Sequence, residues 1–163
     1  MKKIVYLSLG SNLGDRQANL RNATGRLLEL GDVLEVSSLY ETEPVEVTDQ
    51  PWFLNCAVAV RTEVIPREFL AGILEIERSM GRQRTQPKGP RIIDIDILLF
   101  GPAHIKTPTL TVPHPAMAER RFVLEPLAEI APEVKVPLLK KTVRELLEAL
   151  PKSGPKVKKI PRT

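Results

Sequence analysis

The sequence has 163 residues and a formal net charge of +4, and 42% of its residues are hydrophobic and 27% charged. This length predicts one domain, the composition excludes a disordered chain, and no apolar run approaches the roughly 18 residues that a membrane-spanning helix needs. A single cysteine, Cys56, excludes an internal disulfide and predicts a reducing, cytoplasmic location.

The positive charge lies at the C-terminal end of the chain. Residues 151–163 hold five basic side chains and no acidic one, so the other 150 residues carry 19 basic and 20 acidic side chains. Because this segment also holds three prolines and a glycine, we expect a folded domain over 1–150 and a basic, flexible tail over 151–163. The near-neutral body disfavours a nucleic-acid-binding module, which is one alternative function for the chain.

Hydrophobic periodicity predicts the elements of the first half of the chain. Residues 2–9 alternate as in a strand, and residues 10–15 form a turn with helix-start residues. Apolar residues at helical spacing then predict a helix from about residue 16 to 30. Strands are predicted over 34–40 and 53–61, joined by an acidic loop that contains prolines.

In the second half, Pro66 begins a predicted helix that ends at Gly81, and residues 92–100 form a predicted strand. Weaker patterns predict helices around 119–130 and 142–150. The order of strands and helices is βαββαβ, which indicates an α+β fold: a ferredoxin-like antiparallel sheet with helices packed on one face.

The most informative segment is the strand that contains Asp94 and Asp96. Since side chains alternate along a strand, the two carboxylates share one face, and Ile93, Ile95, Ile97 and Leu99 are expected on the other. Two carboxylates on a mostly apolar strand need a positive partner, either Mg²⁺ or nearby arginines. The alternative is a solvated sheet face, but basic residues on both sides of the strand favour a site for Mg²⁺ and polyphosphate.

Other polar and aromatic residues have less specific interpretations. The glycine-containing turn at 10–16 lacks a Walker ending and is interpreted as a tight turn and helix cap. Glu77 is interpreted from the residues alone as a surface glutamate that pairs with Arg78 or Arg82. His114 lies between two prolines and could donate to a phosphate or be an inert loop residue. Aromatic residues such as Phe53 and Phe122 could stack on a flat substrate or pack in the core.

Several motifs lie across roughly residues 4 to 132: 6–15, 40–44, 50–55, 76–77 with 81–84, 89–101, and 110–114 with 119–120. The most specific are the block Pro-Arg-Ile-Ile-Asp-Ile-Asp at 90–96 and the segment Leu-Thr-Val-Pro-His at 110–114 that follows it. Together, and in this order, these motifs resemble those of the 6-hydroxymethyl-7,8-dihydropterin pyrophosphokinases of the folate pathway.

The resemblance implies that a substrate hydroxyl attacks the β-phosphorus of ATP, so that pyrophosphate is transferred and AMP is released. Asp94 and Asp96 would hold two Mg²⁺ ions. The positions implied for ATP, with Arg82 and Arg91 also catalytic, are Glu77, Arg82, Arg84, Arg91, Ile97, Thr111, His114 and Arg120. Those implied for the pterin are Thr42, Val45, Phe53, Asn55 and Phe122.

The chain departs from the family pattern in the loop from Arg84 to Pro90, which is one residue shorter than in the best-known members. Lys88 stands where some members have a tryptophan that closes over the pterin. A second alternative function is a Mg²⁺-dependent phosphohydrolase that uses the same aspartate pair and needs no pterin. The oligomeric state is left open by the sequence.

Overall fold

The computed structural model describes residues 1–44, 49–81 and 90–161. The strands are β1 (Lys3–Ser11), β2 (Asp32–Val36), β3 (Tyr40–Thr42), β4 (Phe53–Thr62), β5 (Asp94–Phe100), β6 (Ile105–Lys106), β7 (Thr111–Val112), β8 (Lys135–Val136), β9 (Lys141–Thr142) and β10 (Val157–Lys159). The α-helices are α1 (Arg16–Arg26), α2 (Pro66–Ser79), α3 (Arg121–Ile130) and α4 (Val143–Glu148).

Among these residues, the main sheet has six strands in the order β10-β3-β4-β1-β5, and β2 also pairs with β4. All of its pairings are antiparallel. The prediction of an α+β fold with an antiparallel sheet is therefore confirmed. No helix of the described ranges is long and apolar enough to cross a membrane.

Helices cover both faces of this sheet, so the expectation of helices on one face is wrong. On the first face, α1 and α2 pack against apolar side chains such as Leu7 and Val58. On the second face, α3 and α4 pack against Ala57, Leu98 and Leu99. The second layer forms because these apolar residues also face away from α1 and α2 and must be buried.

A β-bulge in β5 explains why apolar side chains of this strand are buried on both faces of the sheet. Leu7 of β1 stands opposite Ile97, but the preceding Tyr6 stands opposite Leu99, so Leu98 is an extra residue. After Leu98, side chains that would face one side of the sheet face the other. Alternation predicted Leu99 on the same face as Ile97, but Leu99 packs with α3 and α4 on the second face. Asp94 and Asp96 lie before the bulge and keep the predicted shared face.

The predicted strand 34–40 is two strands, because the chain bends between β2 and β3. Ser37 is buried there: its N–H donates to Ala57 O (2.9 Å) and its hydroxyl accepts from Ala57 N–H (2.8 Å). This bond to the side chain replaces one of the backbone hydrogen bonds that would continue the pairing with β4. The other predicted elements begin and end within a few residues of their expected bounds, which is the usual uncertainty at element ends. The two-residue strands β6, β7, β8 and β9 were not predicted.

Part of the basic tail joins the main sheet. Residues Val157, Lys158 and Lys159 form β10 and stand opposite Thr42, Glu41 and Tyr40 of β3. A composition of lysines and prolines did not indicate this pairing, because the bonds are made by the backbone. The division of the chain at residue 150 stays a prediction, but the expected extension is partly a sheet strand.

Candidate active site

Small residues in the centre of the sheet form the floor of a cleft on its second face. Gly10 of β1 stands between Asp94 of β5 and Asn55 of β4, and the neighbouring Ser8 stands opposite Asp96. A Cβ on Gly10 would lie 2.6 Å from the Asn55 amide nitrogen, so any larger residue here would displace the Asn55 side chain. The floor therefore leaves room for a ligand between the aspartates and Asn55.

The cleft has a volume of about 740 Å³, which is in the range of pockets for small molecules. Its lining includes twelve of the fifteen predicted site residues: Thr42, Phe53, Asn55, Glu77, Arg91, Asp94, Asp96, Ile97, Thr111, His114, Arg120 and Phe122. The other three, Val45, Arg82 and Arg84, lie outside the described residues, as does Lys88. Residues predicted for the nucleotide and for the pterin thus share one cleft.

Asp94 and Asp96 supply hard oxygen atoms on one wall of the cleft. Asp94 Oδ2 accepts from Arg91 Nη1 at 2.9 Å, and both side chains are about one-fifth exposed. No set of three or more His, Cys, Asp or Glu side chains in the described ranges could enclose a metal ion. Mg²⁺ does not require such a set, since it is commonly bound by one or two carboxylates together with substrate phosphates and water. The donors present therefore fit Mg²⁺.

Asn12, which the sequence analysis did not single out, connects the two sides of the cleft. The residue is 1% exposed, and its carboxamide nitrogen donates to Gln50 Oε1 (2.8 Å) and Pro51 O (3.0 Å). Asn12 Oδ1 accepts from the backbone N–H of Arg91 (2.7 Å), and Asn12 N–H donates back to Arg91 O (3.0 Å). The interpretation of this turn as a helix cap holds for Asp15, which accepts from Ala18 N–H, but the turn also anchors Arg91.

Glu77 is a buried residue of α2, not the surface glutamate that the residues alone suggested. It is 3% exposed, and its Oε2 accepts from the backbone N–H of Ile95 at 2.8 Å. Ile95 lies between Asp94 and Asp96. Glu77 therefore positions the part of β5 that carries both aspartates. The resemblance implied that Glu77 lies at the ATP site, but no local pattern indicated its bond to the strand.

His114 can present one nitrogen to a ligand. Its Nδ1 accepts from Ala116 N–H at 3.2 Å, which leaves Nε2 to carry the proton of the neutral ring. Burial lowers the pKa of His114, and Arg120 lowers it further, while Asp94 opposes the change. The residue is thus a neutral donor at physiological pH.

Arg120 and Phe122 line the cleft together at the start of α3. The guanidinium carbon of Arg120 lies 5.6 Å from the centre of the Phe122 ring, within the range of a cation–π interaction. This contact holds a positive charge beside an aromatic face. Arg120 can therefore bind an anion and Phe122 can contact a flat ring at adjacent points of the cleft.

Buried polar atoms form the other end of the cleft. The hydroxyl of Thr42 bonds to Asn55 Oδ1, and the Asn55 amide donates to Leu9 O at 3.2 Å. Thr42 and Asn55 are 2% and 4% exposed, so their orientation is set by these bonds. Phe53 stands opposite Thr42 in the sheet and lines the same end. Polar atoms beside an aromatic ring suit a planar heterocycle.

Comparison with known proteins finds similarity to one family of enzymes. The model of the 7,8-dihydro-6-hydroxymethylpterin-pyrophosphokinase (HPPK) family matches residues 6–132. A 2-amino-4-hydroxy-6-hydroxymethyldihydropteridine pyrophosphokinase of Bacillus subtilis is 49% identical over 137 residues, covering 83% of this chain and 82% of that protein. A protein of the same description from Methylorubrum extorquens is 46% identical over 151 residues, covering 91% and 94%.

The fold is also similar to that of a solved structure, the HPPK-DHPS of Plasmodium falciparum with pteroate. The TM-score is 0.74 at 22% sequence identity, and the match covers 91% of this chain. This chain spans 42% of the Plasmodium chain. At this identity the similarity supports the fold alone.

Proposed function

The chain belongs to the 7,8-dihydro-6-hydroxymethylpterin-pyrophosphokinase family, and we propose that the cleft between β5, β3 and α3 is its active site. The enzyme transfers pyrophosphate from ATP to the hydroxymethyl group of 6-hydroxymethyl-7,8-dihydropterin and releases AMP, a step of folate biosynthesis. The observation that carries the site assignment is that residues predicted for both substrates line one cleft.

In this proposal the hydroxyl oxygen of the pterin attacks the β-phosphorus of ATP. The bond from that phosphorus to the bridging oxygen of AMP breaks, AMP leaves with this oxygen, and the hydroxyl proton is released. No side chain forms a covalent bond, so the enzyme acts by positioning the substrates and neutralising charge. The contacts of the described residues support such roles.

Asp94 and Asp96 would hold Mg²⁺, with two ions expected. When bound, Mg²⁺ neutralises and orients the phosphates of ATP. Glu77 fixes the strand segment between the aspartates through Ile95 N–H. Arg91, held by Asn12 and Asp94, directs positive charge at the phosphates as negative charge grows on the leaving group.

On the phosphate side, His114 would donate its Nε2 proton to a phosphate oxygen, and Arg120 would add positive charge. Thr111 of β7 and Ile97 of β5 line the cleft and would border the nucleotide. The roles predicted for Arg82 and Arg84 toward ATP remain part of the proposal.

On the pterin side, Phe53 and Phe122 would stack on the two faces of the ring, which places the hydroxyl for in-line attack. Thr42 and Asn55 would meet its polar edge, and Val45 would contact it as predicted. We place the reaction in the cytoplasm. The support for that location is that Cys56 is the single cysteine of the sequence, as expected of a protein in a reducing compartment.

The test is an assay of AMP from protein, Mg²⁺, ATP and 6-hydroxymethyl-7,8-dihydropterin. We expect AMP only when the pterin is present; phosphate or pyrophosphate released without pterin would indicate the phosphohydrolase instead. Asp96→Ala should lower turnover by at least about 100-fold, because a metal ligand that stabilises transition-state charge is removed. Asp32→Ala is the matched control, since that carboxylate is 61% exposed on β2. Equal turnover in the two variants would reject the metal site.

A further inference from the structure

The C-terminal strand β10 is the edge strand next to β3, which carries Thr42 at the end of the cleft proposed for the pterin. β3 has only three residues, and it pairs with β4 on one side and β10 on the other. We propose that residues 156–160 form a strap that positions β3 for pterin binding. This inference rests on the proposed function, because it concerns the same substrate. The family match ends at residue 132 and assigns no role to this segment.

The strap is joined directly to a residue that lines the cleft. The backbone N–H of Glu43 donates to Lys156 O at 2.9 Å, and the backbone N–H of Lys156 donates to Glu43 Oε1 at 3.0 Å. Glu43 follows Thr42 at the end of β3, and both line the cleft. These two bonds fix the chain at the point where it leaves the sheet toward the pterin contacts.

The other end of the strap is anchored to the core. Ile160 packs against the first hydrophobic cluster, and its N–H donates to Leu39 O at 2.8 Å. Lys159 Nζ lies 3.7 Å from Glu129 Oε1 on α3, and the same oxygen accepts from the Tyr40 hydroxyl at 2.7 Å. The strap is therefore hydrogen-bonded to the chain at both ends of β3.

Loss of the strap would act on the pterin end selectively. A three-residue strand that is bonded on one side only opens readily. If β3 opens, the bond between the Thr42 hydroxyl and Asn55 is lost with it. The residues assigned to the phosphates lie on or beside β5 and β7, on α2 and just before α3, and none of these elements pairs with β10. Docking of the strap and binding of the pterin are thus coupled, and by linkage each strengthens the other by the same factor.

The first test is Lys158→Pro against Lys158→Val. Since Glu43 N–H bonds to Lys156 O and Ile160 N–H bonds to Leu39 O, alternation turns the Lys158 N–H toward β3 as well. Both variants remove the same charge, but only proline removes this N–H. We expect the KM for the pterin to rise about fivefold or more in Lys158→Pro, with the KM for ATP within about twofold of wild type.

Lys158→Val should match the wild type in both constants. A Lys158→Pro enzyme that folds and keeps both KM values would overturn the proposal, as would equal increases in both, because a general loss of stability does not distinguish the substrates. Wild-type enzyme that forms no AMP with the pterin would instead refute the proposed function, so the two failures are distinguishable.

A second measurement needs no variant and decides the matter if Lys158→Pro does not fold. Amide exchange of the wild-type chain is followed by NMR at Glu43 and Ile160, with and without the pterin. Coupling predicts slower exchange at both sites, by about fivefold or more. Unchanged exchange at Ile160, while Asn55 becomes protected by the bound pterin, would show that the strap is not coupled to the site.

Discussion

The hydrogen bond from Ile95 N–H to Glu77 provides a sharp test of how the aspartate strand is held. The perturbation is Glu77→Ala. The bond has a length of 2.8 Å, its acceptor is a carboxylate, and the side chain is 3% exposed. A hydrogen bond to a charged group contributes about 1.5 to 3 kcal/mol, and loss of the acceptor leaves a buried N–H unpaired. Because Glu77 borders the cleft, water can enter the space left by its side chain and bond to this N–H. We therefore expect the free energy of unfolding to fall by about 2 kcal/mol.

For a domain of this size, such a loss corresponds to a fall in Tm of about 4 to 8 °C. Displacement of Asp94 and Asp96 should also lower kcat/KM for ATP by at least about tenfold. Thermal unfolding by circular dichroism and steady-state AMP formation measure the two effects. Glu77→Gln keeps an acceptor oxygen at the same position and should retain most of the stability.

The matched control is Glu75→Ala on the same helix. Glu75 is 53% exposed and pairs with Arg78, so its loss should cost less than about 1 kcal/mol and leave activity unchanged. The reasoning is refuted if Glu77→Ala unfolds within about 2 °C of Glu75→Ala and has the same kcat/KM.

Three further predictions concern the floor of the cleft, the network on α3 and the metal. Gly10→Ala places a Cβ against the Asn55 amide and should raise the KM for the pterin about tenfold, with a smaller rise in the KM for ATP. Equal increases in both KM values would contradict the role of Gly10 in leaving room beside Asn55. Burial opposes ionisation of Glu129, but hydrogen bonds from Tyr40 and Ser38 outweigh it and lower the pKa. Its stabilising contribution is therefore present above the unfolded pKa and lost as pH falls through the lower folded pKa. Glu129→Gln should destabilise the chain by about 1 to 2 kcal/mol near pH 7, and urea titrations should show the difference from wild type shrinking below about pH 4; a constant difference across pH would refute this. Chelation with EDTA should abolish AMP formation while Tm changes by less than about 2 °C, and residual turnover in excess chelator would argue against a metal-dependent transfer.

Local patterns were sufficient to predict most of the longer elements, and the resemblance to the family implied the set of site residues. Alternation and caps indicated β1, α1, β4, α2 and β5, because each has an apolar face with a clear period. The pattern at 92–100 also indicated that Asp94 and Asp96 share a face, and their common position in the cleft agrees with it. The roles of Val45, Arg82 and Arg84 stay predictions.

Three features were not predictable from local patterns, because each depends on residues distant in sequence. Glu77 was interpreted as a surface residue, since nothing near it indicated that Ile95 N–H would lie above it. Asn12 was interpreted as part of a turn, and its bonds to Gln50 and Arg91 span 38 and 79 residues. The extra residue in β5 reversed the expected face of Leu99, because a bulge depends on the partner strand.

The sequence by itself determined the periodic elements, the antiparallel α+β class and the residue types that match the family's motifs, because these follow from side-chain chemistry repeated at short spacing. Only the tertiary structure decided that helices cover both faces of the sheet, that Glu77 and Asn12 hold the cleft, and that part of the basic tail becomes β10. Backbone pairing and burial against distant segments decide these features, and neither leaves a local pattern in the residues that take part.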